Sequence, residues 1–136
     1  MSGSMPKLLN GDQAKAGALG LASLRIGIGV LAFIAPKLAL RPWVGASVSD
    51  EPGGRLLGRS LGARDVALGA GAILAARHDG PVRGWIEAGA LADAGDLVAT
   101  VAAFDKLPRV TKWGILFLTA AAVAAGGIIA PCVDSA

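Results

Sequence analysis

The sequence predicts an all-α protein, an integral membrane four-helix bundle, and three observations carry that prediction. Hydrophobic residues make up 54% of the 136, drawn from Ala, Leu and Val more than from aromatics, with 20 glycines besides, which is too apolar for an ordinary soluble domain. Four long apolar segments alternate with breaks rich in Pro, Gly and charge. The charges inside those segments recur at helical spacing beside small residues, the pattern of helices that approach one another closely in lipid.

In chain order, residues 1–15 are a polar tail with Lys7, Asp12 and Lys15, and no small-residue cleavage site closes the apolar run behind them. That run is therefore expected to stay as a span. It covers about residues 16–35, close to the roughly 20 residues a spanning helix needs, and Pro36 with Lys37 marks its exit. Ala18, Ala22, Arg25, Gly29 and Ala32 form its small-residue stripe, with one guanidinium in the middle. Residues 37–55 hold Pro42, Pro52, Gly53 and Gly54 and read as the longest loop, with Trp43 as an interfacial anchor.

The second span covers about 56–76, where Gly58, Gly62, Asp65 and Gly69 share one side and Ser60, Arg64 and Gly71 an adjacent strip. Consecutive residues lie about 100° apart on a helix, so Arg64 and Asp65 are aimed at different neighbours. The turn at 77–81 makes the third span, about 84–104, antiparallel to the second. Gly89, Asp93, Asp96 and Thr100 share a face of it, while Glu87 is placed near the membrane surface. The fourth span, about 111–130, has no charge in its interior, and residues 132–136 form a short tail after the membrane domain at 16–131. Trp85 and Trp113 open the third and fourth helices, where indoles favour headgroup depth.

Residues equally far from a hairpin turn lie at equal depth. Arg64 and Asp96 are each sixteen residues from Gly80, Asp65 and Asp93 lie near the same level, and Arg25 is at the centre of its helix. One mid-membrane layer is expected, holding Arg25 and Arg64 against Asp65, Asp93 and Asp96, with one acid more than base. A charge at the centre of a spanning helix costs about 2.5–3.5 kcal/mol on insertion scales, so these five need one another. Arg64 is expected to pair with Asp96. A proton, a cation, water or a ligand then balances the extra acid.

Asp93 and Asp96 are the candidate catalytic residues, because burial and a like-charged neighbour both favour a protonated carboxyl that can act as acid or base. The plainer role for the same charges is to hold the helices together, and the two roles weigh equally. Arg25 and Arg64 are suited to gripping an anionic group bidentately, although neutralisation by the acids is the stronger expectation. Gly58 and Gly62 have the spacing of a helix-contact motif that serves packing within a chain as often as between chains. No metal or cofactor is expected: His78 is the single histidine, Cys132 the single cysteine, and neither joins a ligand cluster or a catalytic triad. The net charge of +3 comes from residues flanking the apolar segments, which suits membrane orientation rather than nucleic acid.

The run LGARDVALG from Leu61 to Gly69, together with ADAGD from Ala92 to Asp96, resembles an uncharacterised family of small four-span membrane proteins common in actinobacteria. The likeness covers most of the chain and implies the four-span topology and the importance of Arg64, Asp65, Asp93 and Asp96, with no activity attached. The run LRIGIG from Leu24 to Gly29 is similar to the first helix of DoxX-like proteins, four-helix membrane proteins some of which are linked to quinone-dependent redox complexes. Small multidrug-resistance transporters are similar in length but carry a Glu in the first span, where this chain has Arg25.

The expected function is that of a multi-pass plasma-membrane protein whose polar layer binds a small or amphiphilic ligand, or that serves as an accessory subunit of a membrane complex. A membrane enzyme using Asp chemistry on a lipophilic substrate is the alternative. Its partners are the bilayer and either a second copy or another membrane protein. The loops after the first and third helices carry Lys37, Arg41, Arg55, Lys106, Arg109 and Lys112, against Lys7, Lys15, Arg77 and Arg83 on the other side. This excess places the termini outside.

Overall fold

The computed structural model describes residues 8–133. Within them the chain is all helical: α1 (Gly11–Ile34), α2 (Pro36–Val44), α3 (Ala46–Ser49), α4 (Pro52–Arg77), α5 (Val82–Ala102), a 3-10 turn (Phe104–Lys106) and α6 (Lys112–Val133). Two of these, α1 and α6, are long and apolar enough to cross a membrane.

The boundaries depart from the expected ones at sites where a helix signal is written in the sequence. Residues 1–7, including Lys7, lie outside the described part, but the rest of the expected tail is helical from Gly11. Asn10 caps that start, its side chain accepting from the Gln13 amide at 2.8 Å while the Gln13 side chain accepts from the Asn10 amide at 3.2 Å, a reciprocal capping box. At the other end α6 continues through Pro131 to Val133, so residues 132 and 133 are not tail; residues 134–136 lie outside the described part.

The segment expected to be the longest loop is mostly α2 and α3, which is a correction. Pro36 stands at the first position of α2 and Pro52 at the first position of α4, where proline initiates a helix because its missing N–H has no partner to lose. Gly45, at φ 84°, turns the chain between α2 and α3, a conformation that suits glycine.

The four long helices form a closed order in space. The most extensive contacts are α1 with α4 and α5 with α6, and α4 with α5 and α1 with α6 join the two pairs. Neighbours run antiparallel, as the close approaches of Gly29 to Gly62 and Ala22 to Gly69 show for α1 and α4. A methyl group on Gly62 would stand 2.5 Å from the Gly29 carbonyl oxygen, so the two backbones touch there. Gly58 is occupied within the chain too, against Pro36 and Leu40. Trp85 lies flat over Gly71, where a methyl group would meet its ring at 2.4 Å. Trp113 is 57% exposed and meets the Phe104 ring edge-on at 4.9 Å.

The interior is built from small residues. Its core cluster is Ala18, Ala22, Ala72 and Ala130 with Val82 and Ile86. The large apolar side chains point the other way: Ile34, Leu91 and Phe117 are each more than 70% exposed. On α1 the division shows within one helix, since Ala18, Ala22, Gly29 and Ala32 are buried while Leu24, Ile28 and Leu31 cover the outer face, with Leu21 and Ile26 half-buried between them.

Candidate functional site

Arg25 leaves α1 at the middle of the helix and reaches across the interior. Its Nη1 donates to Asp65 Oδ1 on α4 at 3.0 Å, and its Nη2 donates to Asp93 Oδ2 on α5. The guanidinium passes Gly89, where a methyl group would stand 3.2 Å from Nη2; a side chain at that position would crowd the bridge.

Arg64, one residue before Asp65, turns to α5. It grips Asp96 bidentately, Nη1 to Oδ1 at 3.1 Å and Nη2 to Oδ2 at 2.7 Å, the strong fork geometry of guanidinium with carboxylate. It also reaches back, Nε and Nη2 donating to Asp65 Oδ1 at 3.3 and 3.2 Å. Asp65 Oδ1 thus receives both arginines. The five residues form one unbroken alternation, Asp93, Arg25, Asp65, Arg64, Asp96, linking α1, α4 and α5.

All five residues named from the sequence are therefore brought together, and Arg64 meets Asp96. Two features go beyond the sequence reading: Asp65 bridges the two arginines, and Arg25 takes both Asp65 and Asp93. The layer is buried most deeply around Arg25 and Asp93, whereas the Arg64 side chain is 31% exposed. Glu87, by contrast, is exposed and accepts from Arg83 at 2.6 Å across one helical turn.

A double-mutant cycle measures the second bridge. Arg64→Ala and Asp96→Ala should each destabilise, and the double variant should fall short of their sum by about 0.5–3 kcal/mol. Additive losses in unfolding titrations would mean that the two side chains are not in contact.

Beside Asp96 lies a pocket of about 240 Å³, below the roughly 300–1,000 Å³ of pockets for drug-sized ligands. Leu57 and Leu61 of α4, Ala99 and Thr100 of α5, and Leu40 and Trp43 of α2 contribute to its apolar wall, and Asp96 is the one acid there. Leu57 and Ala99 are also exposed, so the pocket opens sideways between α4 and α5. Trp43 fastens α2 over it: the indole Nε1 donates to Thr100 Oγ1 at 3.1 Å, and that hydroxyl donates to the Asp96 carbonyl at 2.6 Å.

The sequence reading missed this cover. Its signal was the helical spacing of Leu40 with Val44 and of Lys37 with Arg41, hidden by prolines read as breakers. Asp93 lies on the far side of the charged chain and does not line the pocket. Among the described residues no group of three or more His, Cys, Asp or Glu is arranged to hold a metal ion.

The chain matches no family model, curated protein or solved structure.

Proposed function

We propose that the protein is a multi-pass membrane protein, crossing the bilayer as a four-helix bundle of α1, α4, α5 and α6, and that it holds a small amphiphilic ligand in the pocket beside Asp96. The observation that carries the membrane reading is the inverted packing: alanines, glycines and five charges inside, leucines, isoleucines and phenylalanines outside. In water this would expose an apolar surface far beyond what a soluble monomer tolerates. In lipid it costs nothing, because helix contacts there rely on close packing of small residues and on internal polar bonds. At 1.5 Å per residue α4 is about 39 Å long and α5 about 32 Å, enough for a hydrocarbon core of about 30 Å. The charges on their inner faces, Arg64, Asp65, Asp93 and Asp96, are matched within the bundle together with Arg25, while Arg59 lies on the exposed side of α4.

Binding is favoured over acid–base chemistry by the state of the acids. Asp93 is held by Arg25 away from the pocket, and both oxygens of Asp96 already accept from Arg64.

Topology is tested by accessibility. Cys132 is buried, so a Cys132→Ala background with single cysteines at Asp79 or Ser47 is needed. With the more basic end facing the cytoplasm, Asp79→Cys should react with an impermeant thiol reagent in intact cells and Ser47→Cys only after lysis. Equal reaction of both, or release of the protein by alkaline washing, would exclude the topology. For the ligand, a panel of single-chain amphiphiles should include at least one that stabilises the protein in nanodiscs, by about 2.7 kcal/mol at one hundred times its Kd. Ala99→Phe, which fills the pocket from its mouth, should abolish that gain; stabilisation surviving it would place binding elsewhere.

A further inference from the structure

The charged alternation begins and ends on an acid. Two guanidinium groups serve three carboxylates, and each arginine is shared between two of them. With all five ionised, one negative charge is left over. It is spread along the chain, but the two terminal acids do not have equal access to a ligand: Asp93 is 8% exposed and off the pocket wall, whereas Asp96 lines the pocket. Other polar groups near Asp96 are already committed to each other, Trp43 to Thr100 and Thr100 to the Asp96 carbonyl. A ligand entering between Leu57 and Ala99 therefore meets apolar wall and one carboxylate, which accepts two hydrogen bonds from Arg64 and keeps two of its lone-pair sites for a further donor.

We infer that the pocket takes a monocation carrying one short apolar chain, an alkylammonium-like amphiphile, with its charged head against Asp96. The inference rests on the ligand-binding reading above and adds the sign and shape of the ligand. Charge complementarity sets the sign, because a cation completes the alternation whereas an anion would face Asp96 with no free guanidinium in reach. The modest volume and the single acid limit the occupant to one charge and one chain.

The test compares three probes of equal chain length, hexylamine, hexanol and hexanoate, at pH 8 in zwitterionic nanodiscs, with thermal unfolding as the readout. Hexylamine should stabilise the wild type at concentrations about tenfold lower than hexanol, the difference between a charge-assisted and a neutral hydrogen bond, and hexanoate should have no effect. Ala99→Phe should remove the effect of all three, which separates the pocket from general partitioning into the bilayer. Asp96→Asn should bring hexylamine down to the level of hexanol. Should that variant fail to fold, the three-probe comparison on the wild type still decides. Equal potency of hexylamine and hexanol, both lost in Ala99→Phe, would overturn the cation inference and leave the ligand-binding reading standing. Stabilisation by no single-chain probe of any charge would overturn both.

Discussion

Arg25→Leu should be the most damaging single substitution among the charged residues, costing about 3–5 kcal/mol of stability. Removing one partner of a buried ion pair strands the other, and the penalty comes from the stranded charge. Here one substitution affects two acids. Asp65 keeps Arg64, but Asp93 loses the bond that Arg25 makes to it, in a position 8% exposed. Arg64→Leu also strands an acid, Asp96, but should cost less, since Asp96 borders the pocket and is less deeply buried than Asp93, and the Arg64 side chain is already 31% exposed. Replacing a whole buried pair by neutral groups of similar volume is often tolerated, so Arg25→Leu combined with Asp93→Asn should regain most of the loss. Denaturation in mixed micelles gives the ranking. A loss for Arg25→Leu no greater than for Arg64→Leu, or no recovery in the double variant, would show that Asp93 does not depend on Arg25.

How much of this was readable beforehand depends on whether a feature is local or set by the spatial order of the helices. The buried stripe of α1 was legible because Ala18, Ala22, Gly29 and Ala32 repeat at the helical period beside large apolar neighbours. The Arg64 to Asp96 bridge was legible because a short turn fixes depth on both sides of it. Depth does not say which helix stands where. That α1 lies against α4, so that Asp65 takes Arg25 while Arg25 also reaches α5, depends on the glycine surface of α4 meeting that of α1, a long-range choice. The pocket was illegible for the same reason: its walls come from α2, α4, α5 and the segment at Leu107, and no stretch of sequence contains it. α2 itself was misread locally, because proline both breaks a helix and opens one, and position within the helix decides between them.

The contact between α1 and α4 predicts the second large effect, with a built-in control. In Gly62→Ala the added methyl would stand 2.5 Å from the Gly29 carbonyl oxygen and 2.7 Å from the Phe33 amide nitrogen. Both are backbone atoms. No rotamer change relieves the clash, so the helices must separate, at the upper end of the roughly 1–3 kcal/mol seen for overpacked interiors. Separation would also pull Arg25 on α1 away from Asp65 on α4, weakening the 3.0 Å bridge and adding an electrostatic loss to the steric one. Gly69→Ala should behave similarly, its methyl falling 2.5 Å from the Ala22 carbonyl. Gly27 sits on the same helix as Gly29 but has nothing within 4 Å of an added methyl. Gly27→Ala should therefore be neutral or stabilising, because alanine is the better helix former by about 1 kcal/mol in an exposed helix. Thermal unfolding of Gly62→Ala, Gly69→Ala and Gly27→Ala in the same lipid separates packing from propensity. Equal effects at Gly62 and Gly27 would mean that α1 and α4 do not touch through their backbones, and the alternation of charges anchored on that contact would have to be redrawn.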